Sequence, residues 1–134
     1  SEAAGNVNKT FHRAFDLCRD PRRAVREITA LGFDRILTSG QAATAMEGAG
    51  LIHGLQQEFP EMVFIAAGGI TPANAAGIVE RAGVREIHAS AKKKVRSRMI
   101  YRNPAISMGA PGADEFSRYT TSADIVSEIV KAFN

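Results

Sequence analysis

Four times in this chain a short apolar stretch runs into a polar or glycine-rich segment and then towards a helix start. The four segments are Thr10-Phe11-His12-Arg13-Ala14-Phe15-Asp16, Ile36-Leu37-Thr38-Ser39-Gly40, Phe64-Ile65-Ala66-Ala67-Gly68-Gly69 and Ile87-His88-Ala89-Ser90-Ala91. A strand that feeds a helix, repeated at this spacing, demands parallel strands joined by helical crossovers. In such folds the loops at the strand carboxyl ends gather on one face, where binding and catalysis are placed. The chain therefore reads as four βα units with converging strand ends.

The punctuation supports that reading. Asp20 is a helix N-cap with Pro21 at the first helical position, and Ala24, Val25, Ile28 and Leu31 follow at helical spacing before Gly32. Strands are expected over residues 7–13, 33–38, 62–67 and 84–89. A second helix is expected over residues 44–58, with Met46, Leu51, Ile52 and Leu55 as its apolar stripe and Gly48, Gly50 and Gly54 weakening it. Thr71-Pro72 and Gly83 bracket a third helix, and a last one begins near Ser122. Gly5-Asn6 would stop a helix ending in residues 1–6. Gly32-Phe33-Asp34-Arg35-Ile36-Leu37-Thr38-Ser39 matches Gly83-Val84-Arg85-Glu86-Ile87-His88-Ala89-Ser90 at an offset of 51 residues, the trace of a duplicated α/β unit. Residues 92–121 break the rhythm. They are expected to form a long loop folded over the strand ends, since Met99, Ile100, Tyr101, Ile106 and Met108 are too apolar for a solvated linker.

Composition narrows the class. The 134 residues suit a single domain spanning 1–134, and 45% hydrophobic with 23% charged residues is a globular balance. No apolar run approaches the ~20 residues of a membrane span, and no leader pattern opens the sequence. A lone Cys18 fits a reducing compartment, so a cytoplasmic location is expected. The net charge of +3 is small, and the basic run Lys92-Lys93-Lys94, Arg96, Arg98, Arg102 lacks interleaved aromatics. Nucleic acid is not an expected partner.

Four parallel strands with helices fit either an open sheet or half of an eight-stranded barrel. The uniform strand–loop–helix rhythm shows no switch point. The motifs Thr10 to Asp16, Leu37-Thr38-Ser39-Gly40, Gly68-Gly69-Ile70, His88-Ala89-Ser90-Ala91, and Arg102-Asn103 with Ser107-Met108-Gly109 resemble, in order, those of the copper homeostasis protein CutC family. The resemblance implies a TIM-type (β/α)8 barrel of nearly twice this length, of which this chain would be the C-terminal half, strands five to eight. It also implies a role in copper homeostasis, with copper as the associated metal. No copper ligand is assigned among these residues, because the cysteines associated with copper in the family belong to the other half.

The residues themselves suggest chemistry at the strand ends. His12, Arg13 and Asp16 offer an acid or base, an anion clamp and a carboxylate within one turn, and are the catalytic candidates. Gly68 and Gly69 ahead of a helix, with Ser90 and Ala91 after the next strand, have the form of a phosphate site. Thr38, Ser39 and His88 end neighbouring strands and complete the anion-binding candidates. Arg102 and Asn103 are expected over the site. Three functions follow: a copper-handling protein, an enzyme acting on a small anionic or phosphorylated substrate, or a barrel fragment that self-associates without activity. Self-association is expected because Ile65, Ile87 and their neighbours would face an unfilled barrel interior.

Overall fold

The computed structural model describes residues 5–110 and 112–133. Most of the helix expected within residues 1–6 lies outside them. The elements in order are β1 (Thr10–Phe11), a 3-10 turn (Arg13–Leu17), α1 (Pro21–Ala30), β2 (Arg35–Thr38), α2 (Ala49–Glu58), β3 (Val63–Ala67), α3 (Ala75–Ala82), β4 (Glu86–His88), β5 (Lys92–Arg96), β6 (Ser117–Thr121) and α4 (Ala123–Lys131).

β1 to β4 form one parallel sheet in sequence order, so the fold is α/β with no strand switch. Right-handed crossovers between strands laid in that order put every helix on the same face. Burial agrees. Ile36, Phe64 and Ala66 point into a core shared with Val25 and Ile28 of α1, Ile52 and Leu55 of α2, and Ile78 of α3. The opposite face carries Arg35, Leu37, Val63, Ile65 and Glu86, all half-buried, and the exposed His88. An ordered sheet layered on one face is consistent with part of a (β/α)8 unit.

The register corrects one expectation. Ile87 pairs with Ala66, and Ile65 with Glu86. Paired residues share a face, so Ile87 packs with the helices and Glu86 stands beside Ile65. An ion pair joins Glu86 to Arg35 across β3. These two residues occupy equivalent positions in the internal repeat.

Local chemistry explains where elements begin and end. Asp20 Oδ1 accepts from the Arg23 N–H at 3.0 Å, capping α1 as expected. Beyond the other end of α1, Lys9 Nζ donates to the Gly32 carbonyl at 3.2 Å, a cation where the helix dipole favours one. α2 starts at Ala49, five residues later than expected, because Gly48 sits in a backbone crossing. A Cβ there would stand 1.9 Å from Ser39 O, and one on Gly40 would stand 2.2 Å from Gly48 O. α3 begins after Asn74, since Thr71 and Pro72 form a preliminary turn in which Thr71 N–H donates to Asn74 Oδ1 at 2.7 Å.

The largest departure is residues 92–121. They form an antiparallel hairpin, β5 paired with β6, rather than a loop folded over the strand ends. Lys92 Nζ lies 5.1 Å from the Tyr119 ring centroid and Lys94 pairs with Asp114 at 2.8 Å. The hairpin's long tip leaves Met99, Ile100, Tyr101, Ile106 and Met108 exposed.

Candidate functional site

The densest polar cluster sits where the 3-10 turn after β1 meets the end of β2. Asp16 is its centre. Its Oδ2 accepts from Arg13 Nε at 2.7 Å, and its Oδ1 accepts from Thr38 Oγ1 at 2.5 Å. The Ser39 and Gln41 N–H groups donate to Oδ1 at 3.0 and 3.2 Å. Burial pushes the Asp16 carboxyl up. The Thr38 hydroxyl, the Arg13 guanidinium and the two backbone N–H groups outweigh burial and hold it below its ordinary value of 3.8. Asp16 is therefore a charged anchor, ionised at neutral pH.

Arg13 is what the anchor positions. Its Nη2 donates to Ser39 Oγ at 2.6 Å. The Ser39 hydroxyl in turn lies 3.0 Å from Asp16 Oδ2 and 2.7 Å from the Ala42 carbonyl, either of which can accept its hydrogen bond. The Arg13 side chain remains 44% exposed despite these bonds, which leaves donor capacity facing outwards.

That outward side opens on a cleft of about 680 Å³ at the strand carboxyl ends. Gly68, Gly69, His88, Ser90, Ala91, Lys92 and Glu128 line it with Arg13. Gly68 and Gly69 have φ of 110° and 69°, so the chain turns beneath the guanidinium without a side chain in between. A Cβ on Gly68 would come to 3.6 Å from Arg13 Nη1. Ala91 holds φ 44°, uncommon for a residue with a Cβ, and its carbonyl accepts from Ser122 N at the start of α4.

The structure thus brings Arg13, Gly68, Gly69, His88, Ser90 and Ala91 to one cleft. Other expected site residues sit elsewhere. His12 caps the 3-10 turn, its Nδ1 accepting from Ala14 N at 3.0 Å while its ring stacks on Phe11 at 5.4 Å. It does not line the cleft. Thr38 and Ser39 are fully buried and committed to Asp16, so they support Arg13 from behind. Arg102 donates to the Ser97 carbonyl and lies over the Phe116 ring at 5.0 Å, and Asn103 Oδ1 accepts from Ala105 N. Both belong to the hairpin tip and not to the cleft. Lys92 and Glu128 are cleft residues that sequence reasoning missed. In sequence Lys92 is indistinguishable from the rest of the basic run Lys92-Lys93-Lys94, and Glu128 arrives only through the packing of α4.

Cys18 is half-buried, and burial together with the neighbouring Asp20 pushes its thiol up. Among the described residues no group of three or more His, Cys, Asp or Glu is arranged to hold a metal ion. No helix among them is long and apolar enough to cross a membrane.

Comparison with known proteins follows the same lines. The CutC family model matches residues 1–93, which covers β1 to β4 and the cleft glycines. A CutC family protein of Chromobacterium violaceum is 43% identical over 132 residues, 98% of this chain and 53% of the relative. One from Bacteroides thetaiotaomicron is 41% identical over 133 residues, covering 98% and 53%. One from Klebsiella pneumoniae strain 342 is 44% identical over 128 residues, covering 95% and 51%. The chain spans about half the length of the curated relatives it matches. On the family match and these identities together, the chain belongs to the CutC family.

Proposed function

We propose that the strand-end cleft binds a small anion or a phosphorylated ligand. One observation carries this reading: Arg13, locked by Asp16 and Ser39, stands over the Gly68-Gly69 turn with part of its guanidinium unspent. A planar cation with fixed donors suits phosphate or carboxylate recognition better than a free lysine does. Lys92 in the lining adds a second cation, and Glu128 is the carboxylate among the described lining residues. His88 supplies an imidazole in the same lining, which an enzyme of anionic substrates would use as a proton donor. The capped, stacked His12 is not available in that way.

Family membership supports a role in copper homeostasis at the level of the family. We propose that this chain serves that role, in a reducing compartment such as the cytoplasm, through the anion cleft. Copper would be cargo handled by the wider protein, since the residues here offer a single thiol and soft thiolate is what copper(I) prefers.

Isothermal titration with inorganic phosphate and a simple phosphomonoester tests the reading. A charge-assisted hydrogen bond contributes about 1.5–3 kcal/mol, so Arg13→Ala should weaken binding by about tenfold or more. Arg13→Lys, which keeps the charge and loses the fork, should fall in between. Affinity should also drop with added salt. Equal binding by wild type and Arg13→Ala would contradict the assignment.

A further inference from the structure

We propose that the ligand of the strand-end cleft is zwitterionic, a phosphomonoester that also carries an ammonium group, and that Glu128 selects it. This rests on the anion reading above and adds the chemistry of the ligand's other end.

The cleft lining holds opposite charges that do not neutralise each other. Arg13 and Lys92 are its cations and Glu128 its carboxylate. Arg13 spends Nε on Asp16 and Nη2 on Ser39, while Nη1 stands beside Gly68, 3.6 Å from where a Cβ there would lie. Lys92 keeps its Nζ 5.1 Å from the Tyr119 ring centroid. The ion pairs among the described residues join other partners, and Glu128 enters none of them. A ligand with only an anionic group would satisfy Arg13 and meet an uncompensated carboxylate in the same cavity. A ligand with an ammonium group as well turns that repulsion into attraction, and the repelled alternatives make the preference specific.

Glu128 owes its place to how α4 is tied down. The Ser122 N–H donates to the Ala91 carbonyl at 2.9 Å, and the Ser122 side chain caps the helix, so α4 starts beside the Ser90-Ala91 part of the lining. Ile125 and Glu128 are three residues apart, share one stripe of α4, and both line the cleft. Val126, Val130 and Phe133 line a separate apolar hollow. Glu128 stands six residues beyond Ser122, about 9 Å along the helix axis. The carboxylate is thereby set apart from the Ala91 end of the cleft.

Size agrees. A cleft of about 680 Å³ falls among sites that enclose whole small-molecule ligands, roughly 300–1,000 Å³. A bare phosphate would leave most of it to water. Leu37, Ile70, Pro72 and Ile125 give the lining an apolar part suited to a short carbon linker between phosphate and ammonium.

Isothermal titration with aminoethyl phosphate and propyl phosphate, near-isosteres that differ in the ammonium group, tests this at neutral pH and low ionic strength. Glu128 is exposed, so the wild type should prefer aminoethyl phosphate by about threefold, the scale of an exposed ion pair. Glu128→Gln should bring the ratio of the two affinities close to one, and Glu128→Lys should reverse it. Equal affinities in the wild type, or a preference that survives both substitutions, would overturn the assignment of Glu128 and leave the anion site standing. If neither probe nor inorganic phosphate binds, the anion reading falls and this inference with it.

Discussion

Asp16 shows how much a single carboxylate can organise. It gathers the end of β2, the turn after β1 and the Arg13 guanidinium into one network. Its folded-state value is depressed, so its stabilisation is present above the ordinary 3.8 and is lost as pH falls through the lower folded value. Asp16→Asn should therefore cost about 2 kcal/mol at neutral pH. Denaturant melts of the two proteins should converge as the pH drops below about 4. A constant difference down to pH 2 would show that the carboxylate's charge is not what matters. Arg13 and Asp16 were legible as polar groups gathered at a strand end, though not as an ion pair. The commitment of Thr38 and Ser39 to Asp16 was not, because that contact joins residues 22 and 23 positions apart.

Individual elements separate local signals from those that packing overrules. α1 and α4 begin where the sequence says, at Asp20-Pro21 and Ser122, because a capping side chain next to an amphipathic run is a local instruction. The hairpin was illegible for the opposite reason. Lys92-Lys93-Lys94 has little strand propensity, and β5 exists only because β6, more than twenty residues on, supplies its ladder. The glycines of α2 looked alike in sequence and differ in three dimensions. Gly48 meets backbone, whereas a Cβ on Gly54 would meet nothing within 4 Å. Gly54→Ala should stabilise the protein by about 1 kcal/mol through helix propensity. Gly48→Ala should destabilise it by more than that amount, and thermal melts of the two variants decide it. A destabilised Gly54→Ala protein would mean that α2 is under a constraint the structure does not show.

At the scale of the whole molecule, the sequence-ordered parallel sheet gathers strand ends. It delivers the ends of β1, β3 and β4 to the same cleft, although Arg13, Gly68 and Ser90 are far apart in the chain. The four-unit rhythm and the double glycine made that convergence readable in advance. The faces of Ile65 and Ile87 were not, because a strand shift of one residue exchanges faces and only the pairing fixes it. The central claim is that these three strand ends act as one anion site. Phosphate titration followed by amide NMR addresses it most directly. The account predicts saturable shifts at Gly68, Gly69, Ser90 and Ala91 together, with one shared affinity that Arg13→Ala weakens by about tenfold or more. Shifts confined to Lys93 and Lys94, outside the cleft, and rising without saturation, would contradict it.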